Sequence, residues 1–445
     1  MKIKFREIIF RISSIFIVLY IFLFVLYPEN SSYFTCNELV ESKFINTQIS
    51  YFIPVSCDLE LYLTGVYDIG EIYKFDYNYQ SRPLYILYIK VIYEVLGLLI
   101  TNELVLKFLT FFFAHLLIIS LSINLFFSSL KKLQIKIDKV KFNYIILFIS
   151  LFPIIKWGIF DASHQTLTFL QFTISFYFLT HKYEEFSKIY QFSFLLGLLA
   201  LSNLTFALPL FFLVLYKINS FNKILKNFRK LTLTLILFVI PILSWNIFIR
   251  SQGYVPYNAA TAYWYQFIWL KDYILAGYEN VNFNPEGSEY FCMSVPLFLQ
   301  CYLNDFLRSL IYLSTLPVLC ILSYRNADKA YIKIQLSAFK NLFLIFLVSF
   351  SFWAFIGWYP PLRFNLYSVG SFLVLLFCLS FSLIHNSNVI KLTGLTYSTY
   401  FLFLNHWNFL DVVNINFGIL LSFIFLGTLF FLTFKRSSKK ATELS

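Results

Sequence analysis

Tyr79-Gln80-Ser81-Arg82-Pro83-Leu84-Tyr85-Ile86-Leu87-Tyr88-Ile89-Lys90-Val91-Ile92-Tyr93-Glu94-Val95-Leu96-Gly97 is the stretch on which the reading of this chain turns. Pro83 suits the first position of a helix, where its missing N–H costs nothing, and Gly97 suits the close. The apolar run 84–100 is a candidate membrane crossing, yet Lys90 and Glu94 stand one helical turn apart within it. That pairing suits a helix lying along a membrane surface. Counted as a crossing, the run puts Lys131, Lys132, Lys136, Lys139 and Lys141 outside and inverts the basic clusters that follow. Kept outside as an interfacial helix, it returns every cluster to one side. A short crossing over 84–100 with a single crossing over 191–216 also restores the later parity, but leaves the lysines of 131–141 outside. The interfacial reading is therefore adopted.

Composition sets the class. Of the 445 residues 59% are hydrophobic and 13% charged, with a mean hydropathy of +0.70, whereas soluble domains carry about a quarter charged residues. The fold class expected is an all-α polytopic membrane protein. The net charge of +12 is spread over short clusters between apolar segments: the lysines of 131–141, then Lys217, Lys223, Lys226, Arg229 and Lys230, then Arg325, Lys329, Lys333 and Lys340, then Lys435, Arg436, Lys439 and Lys440. This is the positive-inside pattern, which fixes topology and offers contacts to anionic lipid head groups. It argues against a nucleic-acid partner.

Crossings need about 17–25 apolar residues. They are expected at 8–27, 104–127, 142–159, 165–180, 231–249, 304–323, 341–358, 367–385, 389–404 and 417–434. Residues 191–216 are too long for one straight crossing and are interrupted by Ser202-Asn203 and Pro209, which predicts two short helices meeting at a polar turn. The sum is about twelve crossings with both termini cytoplasmic. The first apolar run follows Met1-Lys2-Ile3-Lys4-Phe5-Arg6 and shows no small-residue cleavage site before Tyr27-Pro28, so it reads as a retained anchor. Two parts follow: a module over 1–220 with the outside loop 28–103, and further membrane helices over 221–445 with the outside loop 250–303.

Cys36 and Cys57 fall in the first of those loops and Cys292 and Cys301 in the second, while Cys320 and Cys378 fall in crossings. Pairwise placement in exported loops fits two disulfides in an oxidising compartment. Buried free thiols are the alternative, and the connectivity stays open.

The loop 28–103 carries Glu29, Glu38, Glu41, Asp58, Glu60, Asp68, Glu71, Asp76, Glu94 and Glu103 against Lys43, Lys74, Arg82 and Lys90. With the turn Asp161-Ala162-Ser163-His164, the loop 250–303 and the turn Tyr359-Pro360-Pro361-Leu362-Arg363, it gathers the non-basic polar residues on one face. This describes a helical scaffold with a site at its outer surface. No Walker-type Gly-Lys-Ser/Thr, Gly-x-Gly-x-x-Gly, Cys-x-x-Cys or His-Glu-x-x-His motif occurs, which argues against cytosolic nucleotide chemistry.

An acidic residue shortly after the first crossing, then Tyr79-Gln80-Ser81-Arg82-Pro83-Leu84-Tyr85 opening a helix that closes at Gly97, then a second crossing, resembles the GT-C superfamily of polyprenyl-phosphate-sugar-dependent glycosyltransferases. Members commonly show Pro-Pro-Leu-Tyr or Lys-Pro-Pro-Leu here; this chain has Arg82-Pro83-Leu84-Tyr85, with arginine in place of one proline. The resemblance covers the topology of 1–220 and this motif. It implies a catalytic base in the first outside loop, best matched by Asp58 in Cys57-Asp58-Leu59-Glu60-Leu61-Tyr62, and a second acidic position matched by Asp161. Glu60, Tyr79, Gln80 and His164 become candidates for substrate binding. The departing lipid phosphate needs cations, for which Arg82, Lys271 and Arg363 are the outside candidates. The implied partners are a polyprenyl-phosphate sugar donor, a lipid, glycan or protein acceptor, and membrane lipids; no cofactor is implied, with a divalent metal left open. The implied place is a bacterial cytoplasmic membrane, with the site facing outward.

Each residue also has a plainer reading. Asp58 suits a helix cap, Asp161 and His164 an interfacial polar turn, Arg82 a snorkelling side chain and Arg363 a helix-entry anchor. Lys156 and Arg308 read as interfacial anchors and His406 as structural. Two other functions compete: a transporter or flippase for lipid-linked glycans, which would place ionisable residues mid-crossing as His115 is placed, and a polymerase or ligase of similar crossing count.

Overall fold

The structure is a computed structural model and describes residues 5–21, 38–43, 50–55, 57–74, 80, 82–160, 166–181, 186–202, 204–218, 228–256, 275, 332–356 and 361–404. The helices are α1 (Phe5–Tyr20), α2 (Cys57–Tyr67), α3 (Pro83–Gly97), α4 (Glu103–Lys132), α5 (Lys139–Leu151), α6 (Pro153–Phe160), α7 (Thr166–Thr180), α8 (Phe186–Ala200), α9 (Leu204–Ile218), α10 (Phe228–Ser251), α11 (Ile332–Ile356), α12 (Pro361–Ser382) and α13 (Ser387–Leu404). The expected crossings 304–323 and 417–434 lie outside the described residues.

One element departs from the all-α expectation. Strands β1 (Glu38–Lys43) and β2 (Ser50–Val55) form an antiparallel hairpin with Glu38 opposite Val55 and Lys43 opposite Ser50. Tyr51, Phe52, Ile53 and Val55 are strand-favouring types, and their short run was hidden in a loop otherwise marked by its acids.

Two described helices are long and apolar enough to cross a membrane, α4 with 30 residues and α10 with 24. At 1.5 Å per residue they measure about 45 and 36 Å, beyond the ~30 Å of a hydrocarbon core. Asn102 caps α4 by accepting from the Val105 N–H at 3.1 Å, and Asp138 caps α5 through Lys141 N–H at 2.8 Å. The expected crossing 142–159 is bent: Phe152 takes an extended backbone before Pro153, ending α5 and starting α6. Ile8, Ile12, Phe16 and Leu19 give α1 one buried face at helical spacing. That face enters the largest core, shared by α4, α5, α6, α7, α9, α11, α12 and α13.

The basic residues of separate segments meet at one end. Arg11 donates to Asn143 Oδ1 at 2.6 Å, and the buried Lys141 ammonium donates to the Ser382 carbonyl in the last turn of α12 at 2.8 Å. A cation there closes one of the acceptors that a helix end leaves open. At the other end of α1, the Tyr20 ring lies against Phe108 and Phe160.

The segment 83–97 is a helix, as its proline and glycine predict, and Lys90 pairs with Glu94 at 2.9 Å. It is not laid flat across the end of the bundle. Tyr88 Oη donates to the Ala114 carbonyl at 2.8 Å, Tyr85 meets His115, and Gly97 lies beside Leu106. Helix α3 thus runs antiparallel to the first half of α4. From His115 to Lys131 there remain about 24 Å of helix, so α3 does not bring the chain to the lysine end. Below its first turn sits the turn between α8 and α9, the two short helices expected over 191–216, and Leu84 N–H donates to the Leu201 carbonyl at 3.2 Å.

Helix α8 packs on α10 through Gly197, where an added Cβ would collide with the Phe238 carbonyl oxygen and sit 3.1 Å from Pro241 Cδ. Gly197→Ala is expected to cost about 1–3 kcal/mol through overpacking, measured as a lower thermal midpoint in detergent. Single cysteines introduced as Lys136→Cys and Gln252→Cys, at opposite ends of the bundle, are expected to react with an impermeant maleimide from opposite faces of sealed vesicles.

Candidate functional site

Asp58 and Glu60 lie in the first turn of α2, and Tyr62 follows Asp58 by one turn on the same helical face. The Tyr62 side chain is buried, and its Oη accepts from the Arg82 guanidinium at 2.7 Å. Arg82 stands at the N-cap of α3 without capping it through its side chain; its carbonyl instead receives Tyr85 and Ile86 N–H groups at 3.0 and 3.2 Å. The guanidinium is thereby free to reach across to α2. Lys90, further along α3, donates to the Val66 carbonyl at 3.2 Å and ties the far end of α2 to the same helix.

From Arg82 a line of aromatic and polar groups leads inward. Tyr62 meets Tyr85 edge to face, with ring centres 5.2 Å apart and planes at 80°. Tyr85 Oη is 2.9 Å from His115 Nε2, and the histidine is fully buried in α4. Beside its ring lie the carbonyls of Gly158 and Ile159 in the last turn of α6, yet Nδ1 makes no hydrogen bond among the described residues. Gly158 allows α7 to approach: a Cβ there would stand 3.0 Å from Thr166 Cγ2. The hydroxyls of Thr166 and Thr168 are buried and also lack partners among the described residues. Leu167 closes the apolar wall with Phe111, Ala114 and Ile86.

Three places singled out in the sequence are thus linked to His115: the helix carrying Asp58 and Glu60 and the arginine of the Arg82-Pro83-Leu84-Tyr85 motif through Tyr62 and Tyr85, and the helix that ends at Phe160 through Gly158 and Ile159. Asp161, His164, Tyr79 and Lys271 themselves lie outside the described residues. Arg363 belongs to the first turn of α12, the end of that helix away from Ser382 and Lys141. Gln80 is held within the fold. It is fully buried, its Nε2 donates to the carbonyls of Tyr73 at 3.0 Å and Val255 at 3.4 Å, and its backbone carbonyl accepts from Trp245 Nε1 at 2.8 Å. Its role is to pin the entry of α3 to α10.

Tyr62 and Tyr85 are the members of the site that sequence reasoning did not select. Tyr62 carried one usable signal, its spacing of one turn from Asp58; His115 was visible as an ionisable residue inside an apolar run. The exposed Lys74 is raised above the ordinary lysine value by its hydrogen bond to Glu71, a surface pair of little energetic weight. Among the described residues no three His, Cys, Asp or Glu side chains cluster.

Tyr85→Phe strands His115 Nε2 in an apolar setting and is expected to cost about 1–3 kcal/mol of stability. The double variant with His115→Leu is expected to be less destabilised than the sum of the single changes, as a thermal-unfolding cycle would read. No protein-family model, curated protein or solved structure matches the chain.

Proposed function

We propose that the protein is a membrane glycosyltransferase that moves a sugar from a polyprenyl-phosphate donor to an acceptor hydroxyl at the outer face of a bacterial cytoplasmic membrane, through about twelve crossings oriented by their basic loops. The observation that carries this reading is the Arg82 guanidinium held on Tyr62 Oη at 2.7 Å, one helical turn along α2 from Asp58. It sets a cation beside the helix that bears a carboxylate, the pair that an inverting transfer from a lipid phosphate requires. The acceptor oxygen attacks the anomeric carbon as the bond from that carbon to the phosphate oxygen breaks. The hydroxyl proton passes to Asp58, and the phosphate leaves as an anion paired with Arg82. Asp161 and Arg363 enter the same scheme as second acid and second cation, with Glu60, Tyr79, His164 and Lys271 as substrate contacts.

The apolar face of α3, with Leu87, Val91 and Val95 about half exposed, supports approach of a lipid from the side. A second reading draws on His115: a fully buried ionisable residue inside a helix of membrane length also suits a carrier for lipid-linked glycans.

Asp58→Asn is expected to lower sugar transfer in proteoliposomes by about 10²–10⁴-fold, with an unchanged elution profile and thermal midpoint. Arg82→Ala is expected to follow, and Arg82→Lys to recover only part because it keeps charge without the planar fork. Full transfer by Asp58→Asn would remove it as the base. Loss of lipid-glycan movement in His115→Leu, with no transfer detectable in the unaltered protein, would favour the carrier.

A further inference from the structure

We propose that the lysine-rich end of the bundle holds a site for an anionic phospholipid along the start of α5, which α1 and α13 flank. Each of the three helices carries a cation at this end. Arg11 of α1 reaches Asn143 of α5 at 2.6 Å and stands over the Phe142 ring, 5.3 Å from its centre. Lys139 opens α5, one turn before Asn143. Tyr144 Oη reaches the backbone carbonyl of Lys391 on α13 at 3.4 Å, and the Tyr144 ring lies against Gly394.

The charges facing this surface sum in one direction. Glu7 pairs with Arg11 at 3.0 Å, and the Asp138 carboxylate is turned into the start of α5, accepting Lys141 N–H. Lys141 is buried against Ser382 and adds nothing to the surface. Lys136, Lys139 and Lys391 are exposed and, among the described residues, no carboxylate pairs with them. Beside the cations the same helices expose apolar side chains: Val140 at 41%, Leu392 at 43% and Leu395 at 61%. Cations at the helix ends with apolar flanks above them match a phosphate head group and its acyl chains. A zwitterionic lipid carries its own ammonium and gains less from a surface of this sign. The site is separated from the start of α3 by about 24 Å of α4, from His115 to Lys131, and stands independently of sugar transfer.

The test uses the purified full chain with phosphatidylglycerol, phosphatidylcholine or inorganic phosphate added in detergent, read by native mass spectrometry and thermal midpoint. Phosphatidylglycerol is expected to be retained and to raise the midpoint, with the other two producing little change. Lys139→Gln and Lys391→Gln are each expected to weaken retention about five-fold, while Arg229→Gln, at the start of α10, leaves it unchanged. Equal retention of the two lipids, a midpoint shift by inorganic phosphate as large as that by phosphatidylglycerol, or insensitivity to both lysine substitutions would each overturn the proposal.

Discussion

The hydrogen bond from Leu84 N–H to the Leu201 carbonyl is the constraint around which the bundle is arranged. Helices α3, α8 and α9 have 15 residues each, about 22 Å and too short for a hydrocarbon core of ~30 Å. A helix that stops part-way through an apolar bundle exposes donors at its start and acceptors at its end, and each unpaired group in such a setting costs several kcal/mol. Here the stopping point of one segment satisfies the starting point of another. Pro83 removes a donor from the first turn of α3, and Leu201, just past α8, supplies an acceptor for the next. Stacking α3 on the α8–α9 turn thus allows short helices to fill the depth that a longer one fills elsewhere.

That stacking fixes the height of the candidate site. Arg82 precedes Pro83, so its depth is the depth at which α3 begins, and Gln80 holds the same point laterally through Trp245 and Val255. Helix α2 then follows α3 through the Tyr62–Tyr85 and Tyr67–Tyr93 ring contacts and the Lys90 bond to Val66. The position of Asp58 along the bundle is therefore inherited from α3 through α2. A carboxylate on an otherwise unanchored loop would have no defined distance from any cation.

The parts legible in the sequence were those written in local chemistry. Pro83 and Gly97 bounded α3 closely, and Ser202-Asn203 broke α8 from α9. The parts that were not legible depend on pairing at a distance. The spacing of Lys90 and Glu94 is satisfied equally by a helix on a membrane surface and by one leaning on α4; what decides is Tyr88 on Ala114 and Tyr85 on His115, contacts between residues 26 and 30 apart in the chain. The β1–β2 hairpin escaped for the same reason, since two six-residue strands declare themselves only through their register. At the site, Arg82 was found through its motif, whereas Tyr62 was hidden because a buried tyrosine in an aromatic-rich chain carries no distinguishing pattern.

The Tyr85–His115 pair is costly for a position that an aliphatic contact could fill. A neutral hydrogen bond contributes about 0.5–1.5 kcal/mol net, while a buried polar atom left without a partner loses about 1–3 kcal/mol, and among the described residues His115 Nδ1 makes no hydrogen bond. Stability alone would therefore favour leucine at 115 and phenylalanine at 85. What the polar pair adds is register: an apolar face on α3 packs acceptably at several offsets along α4, but only one offset gives His115 Nε2 its partner. Because Arg82 and Tyr62 are positioned from Tyr85, that single offset sets the distance between the cation and the helix of Asp58. The other nitrogen of the same histidine lies beside the last turn of α6, at the carbonyls of Gly158 and Ile159, so the offset of α3 on α4 is read from α6 as well.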